Sequence, residues 1–193
     1  MEPHEVLISH LCLLKELTAE EKEQLLQYFV LKSFNAGDYL SEYGKVNNCV
    51  AFVSTGFCRV YVIDPEGNEV TIHMAGNGNF VGAISSFLSR TPSEEYVQSI
   101  TNSELMVINH DALQELYSLS ATWEHVGRRI MEHLFLMKQK RVISFIKHSA
   151  EKRYQYLMET EPEMLLQVPM RYIASYLGIT PETLSRIRTK MTL

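Results

Sequence analysis

The densest run of chemically capable side chains lies near the C-terminal end, in Gly178-Ile179-Thr180-Pro181-Glu182-Thr183-Leu184-Ser185-Arg186-Ile187. Thr180 is a good helix N-cap and Pro181 suits the first helical position. On the helix they open, Thr180, Glu182, Ser185 and Arg186 share an outward face. These residue types can read base edges: a guanidinium fork pairs with guanine O6 and N7, and a carboxylate accepts from cytosine N4. Thr183, Arg188 and Lys190 suit phosphate oxygens, which position a protein without specifying a sequence.

Other chemistries find little support. His73 stands alone among the predicted strands, with no His-x-His, no Gly-x-Ser-x-Gly and no phosphate loop, so no catalytic residue, metal or cofactor is expected. His73 is read as a structural residue. Cys12, Cys49 and Cys58 are scattered without a Cys-x-x-Cys, which indicates neither a disulfide scaffold nor a zinc ribbon. Cys49 and Cys58 could face each other across a hairpin, but free buried cysteine is the commoner outcome.

The net charge of −5 looks unsuited to a polyanion until the chain is divided. Residues 1–119 hold 6 Lys and Arg against 16 Asp and Glu, a net −10; residues 120–193 hold 12 against 7, a net +5. An acidic front and a basic back imply two jobs, with nucleic-acid contact confined to the back.

The elements that would position the polar face follow from spacing. Pro169 opens a first helix through Leu177, Gly178 supplies a tight turn, and Ala174 is small where two helices must cross. Ile173, Leu177, Ile179, Leu184 and Ile187 face the crossing, a helix-turn-helix pattern. Upstream, Ser120 to about His148 contains no proline and one glycine, which predicts a helix of roughly 43 Å. One seam on it runs Trp123, Gly127, Ile130, Leu134, Met137, Arg141, Ser144; a second apolar line runs Met131, Phe135, Val142, Phe145, Ile146. Two apolar faces need two partners, and the first seam is assigned to a second copy of the chain. Val50–Val53, Cys58–Ile63, Val70–Met74 and Leu105–Ile108 read as strands separated by glycine and asparagine turns. Residues 4–28 read as helical, with a capping box at Thr18-Ala19-Glu20-Glu21.

Over essentially its whole length the chain resembles the Crp/Fnr regulators, related to the cyclic-AMP receptor protein. Asp64-Pro65-Glu66-Gly67-Asn68-Glu69 looks like the family's roll hairpin, and Gly78-Asn79-Phe80-Val81-Gly82 like the opening of its phosphate-binding cassette. The stretch Gly178–Ile187 looks like its turn and recognition helix, with Glu182, Thr183 and Arg186 retained. The resemblance implies an α+β chain: a cyclic-nucleotide-binding-type β-roll (a double-stranded jelly roll) over 1–119, a dimerisation helix over 120–148, and a helix-turn-helix domain over 149–193. It further implies a cytoplasmic homodimer that regulates transcription from a pseudo-palindromic site in double-stranded DNA, with RNA polymerase as a candidate partner.

The sequence departs from the family in two places. Ala83 stands where nucleotide-binding members carry a ribose-binding Glu, and Glu94 and Glu95 lie where a phosphate needs a cation, with Arg90 on the preceding loop. A unit charge pair at about 5 Å is worth about 3 kcal/mol at an effective dielectric near 20, so cyclic AMP is not the expected signal. A small effector of other chemistry is expected instead, at a candidate pocket of Phe80, Val81, Gly82, Ala83, Phe87, Tyr96 and Val97. The family's hairpin wing beyond the recognition helix has no counterpart before Leu193, so its phosphate contacts are expected to be missing. The competing expectation is an effector-sensing or protein-interaction module that has lost specific DNA binding.

Overall fold

A computed structural model describes residues 2–191; Met1, Thr192 and Leu193 lie outside the described residues. The N-terminal stretch is two helices, α1 (Pro3–Leu14) and α2 (Ala19–Tyr28). The break falls at the capping box: the Thr18 hydroxyl accepts from the Glu21 N–H at 3.2 Å, and the Thr18 N–H donates to Glu21 Oε2 at 2.9 Å. Those two bonds occupy amides that would otherwise be unpaired at a helix start.

The β-rich middle forms β1 (Val30–Phe34), β2 (Tyr39–Ser41), β3 (Cys49–Thr55), β4 (Cys58–Ile63), β5 (Glu69–Ala75), β6 (Phe80–Val81), β7 (Tyr96–Ser99) and β8 (Ser103–Asn109), with α3 (Ile84–Ser89) between β6 and β7. The strands make two four-stranded antiparallel sheets, in the orders β1-β8-β3-β6 and β2-β7-β4-β5. The Asp64–Asn68 hairpin closes on the Asp64 carboxylate, whose Oδ1 accepts from the N–H groups of Glu66 and Asn68 at 3.0 and 2.8 Å. Gly67, at φ +88°, takes a conformation that residues with a Cβ rarely adopt.

Strand alternation splits the core. Val53, Val60, Val81, Val97, Leu105 and Val107 fill the space between the sheets. Phe52 and Met106 point the other way, under α1 and α2, where they meet Leu7, Leu11, Leu25 and Trp123. Cys49 pairs with Asn109 in one sheet and Cys58 with Ala75 in the other, so the two cysteines do not face each other across a hairpin; both thiols are free.

After α4 (His110–Leu119), α5 (Ala121–Lys147) runs 27 residues. Then come α6 (Ala150–Thr160), α7 (Pro162–Gln167), α8 (Met170–Leu177) and α9 (Pro181–Met191). Their shared core is Tyr154, Leu157, Ile173, Leu177, Leu184 and Ile187, with Ala174 fully buried at the α8–α9 crossing. Gly178 makes the turn at φ +66°, and its N–H donates to the Ser175 carbonyl at 3.0 Å.

Candidate nucleic-acid interface and ligand cavity

The α8–α9 crossing fixes which side of α9 meets solvent. Leu184 and Ile187 face inward, so Glu182, Ser185, Arg186, Thr189 and Lys190 are left exposed, with Thr180 at the cap. The Thr180 hydroxyl accepts from the Thr183 N–H at 3.3 Å and is 3.2 Å from the Thr183 hydroxyl, to which Arg186 Nη2 donates at 3.1 Å. Hydrogen bonds to its own backbone N–H and to Thr180, with Arg186 nearby, hold the Glu182 carboxyl below the usual carboxylate range. The four base-reading candidates therefore lie on one exposed surface. Thr183 is half-buried, while Arg188 and Lys190 lie exposed further along the helix.

The opposite side of this helical unit rests on the roll, a contact that no local pattern of residues signals. Ser175 on α8 bridges to β5: its hydroxyl accepts from the Thr71 N–H at 2.9 Å and donates to the Glu69 carbonyl at 3.0 Å. Arg59, almost fully buried on β4, lies between the rings of Tyr61 and Tyr172, 4.0 and 3.9 Å from their centroids. Its charge is met by Glu69 at 2.6 Å and by Gln98. Arg141 on α5 donates to the Thr71 carbonyl at 3.1 Å and stacks on Tyr176.

This corrects the assignment of the α5 seam. Trp123 is buried and donates from its indole to Gln24; Gly127 lies against the Tyr117 hydroxyl, where a Cβ would come within 2.1 Å. Ile130 packs on the N-terminal core, Leu134 lines cavities against the roll, and Arg141 ties α5 to β5. Met137 is half-buried. The seam expected to meet a second copy thus covers the chain's own roll. The exposed apolar row is Phe135, Leu136, Val142, Ile143 and Ile146, largely the second line.

Two cavities lie beneath α5. The smaller, about 130 Å³, is lined by His73, Phe80, Val81, Gly82, Glu95 and Lys138, among others. The larger, about 330 Å³, opens between α3, α4 and α5, with Phe80, Phe87, Leu113, Tyr117, Trp123 and Leu134 in its wall. Burial lowers the His73 imidazole to about 4, the Lys138 and Arg141 cations push the same way, and a hydrogen bond to the Phe80 backbone opposes them. Burial pushes the Glu95 carboxyl up, against the nearby Lys138.

Residues 31–120 match the cyclic nucleotide-binding domain family. The chain is 26% identical over 194 residues to the fumarate and nitrate reduction regulatory protein of Vibrio cholerae, an alignment covering 93% of this chain and 76% of that one. With the nitrogen fixation regulation protein FixK of Rhizobium meliloti it shares 25% identity over 174 residues, 84% of this chain and 75% of the relative. The chain is similar in sequence to regulators of the Crp/Fnr type. Its fold matches the structure of FixK2 from Bradyrhizobium japonicum with a TM-score of 0.74 at 16% identity, over 85% of this chain and 84% of that one. The regulator CLP of Xanthomonas campestris matches with a TM-score of 0.68 at 18% identity, over 91% and 92%.

The stretch that resembles the phosphate-binding cassette has a polarity of its own. Ala83 is fully buried at the start of α3 and offers no side-chain cap. Arg90, in the left-handed region at φ +58°, turns its guanidinium to the carbonyls of Asn47 and Phe87 and to the Asn48 side chain. Glu95 lines the small cavity and Glu94 is exposed. Of the candidate pocket residues, Phe80, Val81 and Gly82 line the small cavity, and Phe80 and Phe87 the large one. Ala83 and Val97 belong to the inter-sheet core. Tyr96 is a correction: strand alternation turns it to the other face, where it stacks on Tyr61 at 4.9 Å. Lys138 and His73, whose Nε2 has no hydrogen-bond partner, are pocket residues that spacing does not reveal, because α5 brings the lysine to the roll from a distance in sequence.

Proposed function

We propose that this Crp/Fnr-type chain is a cytoplasmic, non-enzymatic homodimer that reads a pseudo-palindromic site in double-stranded DNA and takes its signal from a small ligand other than cyclic AMP. Its parts are a sensor roll (1–119), a dimerisation helix (120–148) and a DNA-binding unit (149–193). The observation that carries the reading is the exposed face of α9, with Glu182, Ser185 and Arg186 held outward by a buried crossing while α8 takes the contacts to the roll. Arg186 is assigned to guanine, Glu182 to cytosine, and Thr183, Arg188 and Lys190 to phosphates.

Dimerisation is assigned to the exposed row on α5. Phe135, Val142 and Ile146 recur at spacings of seven and four, with Leu136 and Ile143 beside them, the pattern of a helix seam that a second copy covers. Two such units would place their recognition helices in successive major grooves about 34 Å apart. Coupling follows from the geometry: α5 forms one wall of both cavities, and α5 and β5 both hold α8, so a ligand that displaces α5 would move α8 and α9. Against cyclic AMP stand the apolar Ala83, the Arg90 guanidinium engaged on Asn47 and Asn48, and the Glu95 carboxylate in the cavity.

Selection from a random duplex library tests the reading, alongside calorimetry with cyclic AMP. A two-fold symmetric motif and no saturable cyclic AMP binding at micromolar concentration are expected. Saturable binding would overturn the effector assignment, and no motif under several salt conditions would favour a sensing or protein-interaction module.

A further inference from the structure

His73 carries a buried polar atom without a partner in the smaller cavity. It projects from β5 to the inside of the roll, opposite Val60, and its Nε2 is buried with no hydrogen-bond partner. The ring's bond to the Phe80 backbone is therefore made by Nδ1. A neutral imidazole that donates through Nδ1 presents Nε2 as a lone-pair acceptor. With the ring titrating near 4, it is neutral at physiological pH and keeps that lone pair.

A buried acceptor without a donor is destabilising, and a ligand hydroxyl would complete it. A carboxylate, which only accepts, would not. The cavity's other walls are mostly apolar, among them Val60, Ile72, Phe80, Val81, Leu134 and Phe135. Its volume of about 130 Å³ is close to the roughly 150 Å³ of an engineered apolar cavity that takes up benzene. Phe80, Ile84, Met131 and Leu134 border both cavities, leaving room for an apolar ring substituent.

We propose that the roll binds a single-ring hydroxylated aromatic whose hydroxyl donates to His73 Nε2 and whose ring fills the cavity against α5. This rests on the reading of the roll as the sensor. The ligand would touch Leu134 and Lys138 on the helix that also holds α8.

The test is calorimetry on the full chain with three probes that share a methylated benzene ring: p-cresol, toluene and p-toluate. p-Cresol is expected to bind roughly tenfold more tightly than toluene, the worth of one buried hydrogen bond, and p-toluate no better than toluene. His73→Phe should remove the advantage of p-cresol, and His73→Gln, which keeps an acceptor, should retain part of it. Equal affinity for p-cresol and toluene in the native protein would overturn the proposal without any variant. So would an advantage that survives His73→Phe, or preferred binding of p-toluate, which would mark an anion site at Lys138. A protein that selects a DNA motif but shows no p-cresol preference refutes this inference alone; one that prefers p-cresol but selects no DNA refutes the DNA reading alone.

Discussion

Ser175→Ala isolates the contact between the C-terminal helices and the roll. In β5, Ile72 is an extra residue opposite the step from Val60 to Tyr61, and at this bulge the Thr71 N–H finds its partner in the Ser175 hydroxyl at 2.9 Å. The same hydroxyl donates to the Glu69 carbonyl at 3.0 Å, so one small side chain satisfies two backbone groups across the domain contact. Each such bond contributes about 1 kcal/mol net, which makes the pair worth about 2 kcal/mol, a roughly thirty-fold change in the docking equilibrium. The substitution removes one oxygen from a helix whose core residues, Ile173, Ala174 and Leu177, are untouched. Amide hydrogen exchange resolved at Thr71 is the assay. Protection there should fall by roughly thirty-fold, while amides at the centre of β3 and β8 keep theirs. Unchanged protection at Thr71 in the variant would refute the bridge and, with it, the route by which β5 holds α8.

Three further outcomes follow from the same contacts. Burial favours the neutral His73 ring, so the unfolded chain, whose histidine titrates near 6.5, binds that proton first; stability should be full above pH 6.5 and fall by up to about 3 kcal/mol as pH drops through 4. Lys138 and Arg141 reinforce the loss and the hydrogen bond to the Phe80 backbone opposes it, and chemical denaturation of His73→Phe across that window should show a shallower slope. Phe135→Glu with Ile146→Glu places carboxylates in the exposed α5 row, so sedimentation velocity should show a monomer where the native chain gives a dimer; a native-like dimer would assign the interface elsewhere. Gly178→Ala should cost about 1–3 kcal/mol in denaturant unfolding, since an alanine is strained at φ +66° and its Cβ would come within 2.6 Å of the Phe145 ring, itself held by Arg141 and Arg153; a neutral substitution would contradict the turn geometry.

Much of the fold is legible where local chemistry and tertiary demand coincide. Pro169, Gly178 and Pro181 mark the two C-terminal helices because capping and turn rules act over a few residues, and the boundaries of α8 and α9 follow them closely. The β-branched runs became β3, β4, β5 and β8. By contrast β1 is mostly exposed, β2 and β6 span three and two residues, and β7 is four residues long, too short or too polar to carry a period. In residues 150–167, outside the helix-turn-helix pattern, α6 and α7 supply Tyr154, Leu157 and Met164 to the C-terminal core. The α5 seams show a different limit. Periodicity reveals two apolar faces but not which one the chain keeps for itself, and that choice was decided by Tyr117 seating on Gly127 and by Gln24 meeting Trp123. That Glu182, Ser185 and Arg186 share an exposed face of α9 was visible from spacing alone, whereas the smaller cavity depends on His73 and Lys138 arriving from β5 and α5.

The most direct test of DNA reading compares native protein with Arg186→Ala in selection from a random duplex library, at matched salt. The native chain should yield a two-fold symmetric motif with a guanine in each half-site. In the variant, that guanine preference should relax by about 1–3 kcal/mol while the remaining positions persist. A motif identical for the two proteins would contradict the assignment of Arg186 as a base reader.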